Sequence, residues 1–186
     1  MKIKYRILFL LTIALLVICS CQSGGEGGKS AEHAFFPVAP DRIVIGANGK
    51  ETELSDKDDG YREIVSFIQE RVERSEGFLV ASLAAVDPES GKHLSSELRK
   101  TETFVEFVYD EGNLQAIPMK QAGGEIAEEE FSACRIFFPL TREYHNSFFV
   151  GANEDYTKSV TFGILPDKTE LISYVCDLIV QENTSE

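Results

Sequence analysis

Apolar positions along this chain follow two periods, and the periods alternate in blocks. Tyr61, Ile64, Val65, Ile68 and Val72 stand at i, i+3, i+4, i+7 and i+11, which is one stripe of an amphipathic helix. Arg62, Glu63, Glu70, Arg71, Glu73 and Arg74 occupy its other side, and Gly77 ends it as a glycine just past a helix does. Ile172, Val175, Cys176 and Ile179 mark the inner stripe of a second helix. It opens at Asp167-Lys168-Thr169-Glu170, a capping-box-like start with Asp in place of Ser or Thr.

The remaining blocks have the period of strands. Ile43, Val44 and Ile45 lead into Asn48-Gly49, a strong hairpin signal, and Lys50 to Leu54 forms a mostly polar return arm. Phe78 to Val86 is a near-continuous apolar run whose length suits a buried strand, closed by the turn residues Asp87-Pro88-Glu89-Ser90-Gly91. Thr101 to Tyr109 is rich in Thr, Phe and Val and reads as a strand. Asp110-Glu111-Gly112-Asn113 predicts a turn back into a short strand at Leu114 to Pro118. Gln121 to Glu130 reads as a polar acidic loop. In Phe131 to Leu140, Cys134, Ile136 and Phe138 share one predicted face, and Pro139 ends the strand. Ser147 to Val150 and Ser159 to Ile164 form two more. The phrase Ile45-Gly46-Ala47-Asn48 is echoed at Val150-Gly151-Ala152-Asn153, two sites where turn residues are common.

Two helices and six or seven strands joined by short turns predict an α+β fold. The expected architecture is a curved antiparallel sheet with the two helices packed on one face. The length of 186 residues suits one such domain. Thirteen Phe and six Tyr supply its core. The balance of 18 Lys+Arg against 31 Asp+Glu, a net charge of −13, argues against nucleic acid, which requires clustered cations.

The N-terminus departs from this pattern. Lys2, Lys4 and Arg6 precede an apolar run from Ile7 to Ile18, too short for a permanent span but suited to a secretory signal core. Ile18-Cys19-Ser20-Cys21 follows. This resembles the bacterial lipobox, in which small residues precede a cysteine that is acylated before cleavage. Ser20 makes Cys21 the better match, because Ile18 before Cys19 is bulky. The resemblance implies a lipoprotein with a signal peptide over 1–20, a lipidated N-terminus and flexible linker over 21–34, and a single globular domain over 35–186. The linker reading is independent of the resemblance: Gln22 to Glu32 holds four Gly, two Ser and only Ala31 as an apolar residue. Cleavage before Cys21 removes Lys2, Lys4 and Arg6 and no acid, leaving 15 basic against 31 acidic residues, net −16. Anionic lipid heads would repel that surface. The diacylglycerol that the lipoprotein modification adds, with further acyl groups such as palmitate, supplies the two-chain anchoring that a stable attachment needs.

Candidate chemistry is sparse. His33 lies in the linker region, and His93 and His145 read as surface loop histidines; no HExxH or nucleophile elbow surrounds them. A Ser or Cys nucleophile needs a positioned His, and Ser90 beside His93 is the nearest sequence pairing. Asp56, Asp58, Asp59 and Gly60 miss calcium-loop spacing and suit a helix N-terminus instead. Glu128-Glu129-Glu130 reads as a solvated acidic face. No metal or other cofactor is expected. Cys134 and Cys176 both point inward on these patterns. Outside the cell a disulfide between them is permitted, and buried free thiols are the alternative.

The segment Ile136-Phe137-Phe138-Pro139-Leu140-Thr141-Arg142-Glu143-Tyr144, followed by Phe148 to Tyr156, resembles small, functionally uncharacterised lipoproteins of Gram-positive bacteria. It covers about the last third of the chain and lends no catalytic residues. The expected protein is a non-catalytic lipoprotein on the extracytoplasmic face of the cell membrane, anchored through Cys21 and binding a protein or envelope component. The alternatives are a small carboxylate-dependent hydrolase of the envelope, or an inhibitor or immunity-type lipoprotein whose acidic surface meets a basic partner.

Overall fold

A computed structural model describes residues 39–182, apart from 76, 83–85, 87–90, 164 and 167. The signal segment, Cys21, the linker, His33, Ser90 and Asp167 lie outside the described residues. Seven strands form one antiparallel sheet in the order β2-β1-β4-β5-β6-β7-β3. They are β1 (Arg42–Ala47), β2 (Lys50–Ser55), β3 (Leu79–Ser82), β4 (Phe104–Lys120), β5 (Ile126–Pro139), β6 (Ser147–Gly151) and β7 (Ser159–Gly163). Among the described residues, three helices accompany them: α1 (Asp59–Glu73), α2 (Ser95–Thr101) and α3 (Thr169–Glu182). The fold is α+β, and the sheet is open.

Strand alternation divides the buried residues into two layers. Ile43, Ile45, Val105, Phe107, Ile136, Phe138, Phe148 and Val150 point to one face. There they meet Tyr61, Ile64, Ile68 and Val72 of α1 and Leu171, Val175 and Ile179 of α3. Phe148 organises this layer, with Phe78 and Phe162 at 5.0 Å and Phe138 at 5.5 Å between ring centroids. The intervening residues Phe104, Phe137 and Phe149 point the other way and meet Leu98 of α2 and Tyr156. Thus α1 and α3 share one face, as their stripes predict, and a third helix covers the opposite face. The sequence conceals α2 because only Leu94 and Leu98 carry an apolar spacing there.

Asn48 and Gly49 both take positive φ, 54° and 75°, as the mirror-image turn of a tight hairpin demands. The echoed glycines have a shared use in packing. A Cβ on Gly46 would lie 2.1 Å from the Phe104 ring, and one on Gly151 would lie 2.6 Å from the Tyr156 ring. Each lets an aromatic of the α2-side layer approach the strand backbone closely.

Four local expectations need correction. The residues Asp110 to Asn113 do not reverse the chain: β4 runs through them with a register shift between Val108 and Asn113, and Gly112 at φ 64° serves a bulge instead. The acidic loop is shorter than predicted. Only Gln121 to Glu125 turns, and Ile126 to Glu130 is strand, so β4 and β5 form a long hairpin arm. The run from Phe78 is not a buried strand. Phe78 is buried and bridges Met119, but β3 is a sheet edge and leaves Leu79 and Val80 54% and 45% exposed. Finally, β5 twists opposite the bulge, so Ala133 rather than Cys134 joins the core face of Ile136 and Phe138.

Ile68 is fully buried on α1, whereas Ser66 is exposed on the same helix. Ile68→Ala is expected to lower stability by about 2–5 kcal/mol, the range for a fully buried large-to-small change. Ser66→Ala should change it by less than about 0.5 kcal/mol. Chemical denaturation of both variants checks the pair.

Candidate functional site

The polar chemistry of the described residues gathers on the α2 side of the sheet. Glu106 lies between Val105 and Phe107 on β4, so alternation turns it away from the main core and under α2. Its carboxylate is fully buried. Oε2 accepts from Arg99 Nη2 on α2 and from Arg135 Nη1 on β5 at 3.1 Å. Oε1 accepts from the Tyr156 hydroxyl at 2.7 Å. Arg99 also reaches both oxygens of Glu51 on β2 at 3.2 Å. Its guanidinium lies over the rings of Phe104 and Phe137, 5.2 and 5.7 Å from their centroids. A buried acid is tolerable only when charge and lone pairs are answered, and here two cations and a phenol answer them.

Tyr156 links this cluster to a second one. Its ring stacks on His93 at 4.9 Å, and His93 meets Phe149 edge-on at 5.5 Å. His93 Nδ1 accepts the backbone N–H of Ser95 at 3.1 Å, which leaves Nε2 to carry the proton and donate to Ser159 Oγ at 2.9 Å. That tautomer cannot take a proton from Ser159, so the Ser159–His93 contact is not a nucleophile–base pair. Ser95 Oγ is 2.9 Å from the same Nδ1 but is buried, as is Ser159. Burial pulls the imidazole down from 6.5 to about 4, with Asp155 opposing, so His93 is neutral near pH 7.

The loop between β6 and β7 holds Tyr156 in place. Asn153 Oδ1 accepts the N–H of Lys158, and Asp155 accepts the N–H and hydroxyl of Thr157 at 3.1 and 2.9 Å. Those bonds hold the Asp155 carboxyl below its usual range. Tyr156 itself takes φ 59°, a costly conformation for a bulky residue. Burial, followed by the neighbouring Glu106 charge, raises its phenol well above 10. It therefore stays protonated and keeps donating to Glu106.

A cavity of about 440 Å³ lies on the opposite side of the sheet, between the end of α1 and the start of α3. Arg71, Arg74 and Lys168 line it together with Glu70 and Glu170. Arg71 Nη2 donates to the carbonyls of His145 and Pro166 at 3.2 Å, and Lys168 Nζ to that of His145 at 3.0 Å. Arg74 faces Glu70 at 3.8 Å. Arg71 and Lys168 tie the segments at His145 and Pro166 together, and the cavity wall is of mixed charge.

The remaining sequence candidates fall apart in space. His93 is not a surface histidine: it is buried, because the aromatic layer under α2 closes around it. His145 is exposed, its ring against the Arg142 carbonyl. Asp58 precedes α1 but directs its carboxylate to the N–H and hydroxyl of Ser55 at 2.6 and 2.8 Å, capping the turn rather than the helix. Cys134 and Cys176 are free thiols of intermediate exposure. They do not share a layer: Cys134 Sγ donates to the Ala152 carbonyl at 3.2 Å beside the Gly112 bulge, and Cys176 packs on the α3 side of the core. Glu128, Glu129 and Glu130 stand exposed on β5. Among the described residues, no three His, Cys, Asp or Glu side chains stand together as a metal site.

Sequence reasoning missed Glu106 and Tyr156. The signal for Glu106 was one acid inside Phe104-Val105-Glu106-Phe107-Val108-Tyr109. A strand apolar on both faces is covered on both, so its lone charge must be buried and paired. Compared with protein-family models, curated proteins and solved structures, the chain matches none.

His93 yields a pH prediction. Its folded value lies below the unfolded one, so the unfolded chain binds the proton more tightly. Its contribution to stability is complete above about 6.5 and is lost as pH falls toward about 4. The stability advantage of the wild type over His93→Gln should shrink across that window. The His93 ring signal in NMR should titrate near the lower end; titration near 6.5 would contradict the burial.

Proposed function

We propose that this chain is a non-catalytic, lipid-anchored binding protein of the extracytoplasmic face, held to the cell membrane through Cys21 and engaging a protein or envelope component. The observation that carries the binding half is the engagement of the chemically capable groups. The Glu106 carboxylate already accepts from three side chains, and His93 is closed on both nitrogens and held neutral. Neither has a lone pair or proton turned to an open cleft, so both serve the fold. The anchoring half rests on the lipobox resemblance at Ser20-Cys21 and on the glycine-rich spacer behind it. No helix among the described residues is long and apolar enough to cross a membrane. On this reading the acidic domain sits at the end of a flexible tether, kept off anionic lipid by its charge and free to meet a partner at the envelope surface.

Metabolic labelling with a fatty-acid analogue tests the anchor. The wild-type chain should take the label and partition with membranes. Cys21→Ser should take none, and equal labelling of the two would refute the lipoprotein assignment.

A further inference from the structure

We propose that the outer edge of β5, from Ile126 to Ser132, is a docking edge for a basic, extended peptide segment of a partner protein, added to the sheet as an extra strand. This rests on the binding-protein reading above and names the surface and partner chemistry for it.

The argument begins with strand pairing. β5 makes eight pairs with β4 in its distal half, from Lys120↔Ile126 to Asn113↔Ala133. On its other side β6 takes only Arg135, Ile136 and Phe137. Among the described residues, the distal half of β5 is therefore paired on one edge only. In an antiparallel strand alternate residues turn N–H and C=O to each edge, so a row of backbone donors and acceptors faces outward here. Burial agrees. All residues from Ile126 to Glu130 are exposed, although a strand covered on one face would alternate.

The strands at the two ends of the sheet are poorer templates. β3 has only four residues, and β2 mixes Lys50 with Glu51 and Glu53. The arm bears Glu128, Glu129 and Glu130 in succession, with Glu125 at the adjoining turn. Charged residues on an edge ordinarily prevent aggregation. A single sign does so selectively. Two copies of this edge would oppose carboxylates and repel, whereas a strand bearing Lys or Arg would meet opposite charge on both faces, because Glu129 points opposite to Glu128 and Glu130. Main-chain bonds would supply affinity, and the acids would select the partner.

Hydrogen exchange of the full chain in detergent tests this. The probe is an acetylated octapeptide of alternating lysine and valine. Controls are the same peptide with alternate amides N-methylated and an alternating glutamate–valine peptide. With the lysine peptide at ten times its dissociation constant, exchange within 126–132 should slow about tenfold. The N-methylated peptide should give no such protection. Glu128→Lys/Glu130→Lys should exchange the preferences for the lysine and glutamate peptides. Absence of protection, protection centred on β3 or β2, or equal effects of the methylated peptide would each overturn the proposal. Fatty-acid labelling at Cys21 reads the anchor separately, so loss of the edge does not imply loss of the lipoprotein assignment.

Discussion

The carboxylate of Glu106 constrains one whole side of this molecule. It is fully buried on a central strand, between two residues of the main core, and it cannot move without moving the sheet. An unanswered charge there would cost several kcal/mol or more, so the chain must deliver partners. It delivers them from three places distant in sequence: Arg99 on α2, Arg135 on the neighbouring strand β5, and Tyr156 on the loop after β6. Each partner brings an element with it. Arg99 seats α2 on the sheet and reaches Glu51 near its edge, and Tyr156 draws its loop over Gly151 in a costly backbone conformation. His93 then closes between Tyr156, Phe149 and Ser159.

This arrangement resembles catalytic furniture, with a buried acid, two arginines, a tyrosine and a serine–histidine contact. Catalysis requires a group with an unfilled lone pair or a transferable proton beside substrate. Here the Glu106 carboxylate is engaged by three donors, and the histidine tautomer points its proton at the serine. The proposed binding role directs attention to the acidic β4–β5 arm and the mixed-charge cavity between α1 and α3.

The main layer was legible in the sequence because it obeys local periods. The stripe from Tyr61 to Val72 and that from Ile172 to Ile179 describe α1 and α3, and Asn48-Gly49 describes the first hairpin. The α2-side layer was not, because it depends on contacts between distant residues. Ser95 to Thr101 has too few apolar positions to announce a helix, and its stability comes from Leu98 and Arg99 meeting partners elsewhere. The stretches around Gly112 and Ile126 misled for a related reason. Glycine and acids signal a turn by composition, yet Gly112 serves a bulge and the acids lie on a strand with an exposed edge. Cys134 follows from the same twist, since a face assigned by strict alternation fails across a distortion. His93 was misread because a histidine next to turn residues is ordinarily exposed, and only the folded aromatic layer encloses it.

The account stands most directly on Glu106 as the organiser of the α2 side. Residue-resolved hydrogen exchange of Glu106→Gln measures this. The change keeps the volume and leaves Arg99 and Arg135 without their shared buried anion. Protection should fall first and most at Leu98 and Glu102 of the α2 segment and at Tyr156 and its flanking loop. Ile68 in α1 and Val175 in α3 should exchange nearly as in the wild type until global unfolding intervenes. Uniform loss across all three helices, or unchanged protection at Leu98 and Tyr156, would contradict the claim that this one carboxylate holds that side of the sheet together.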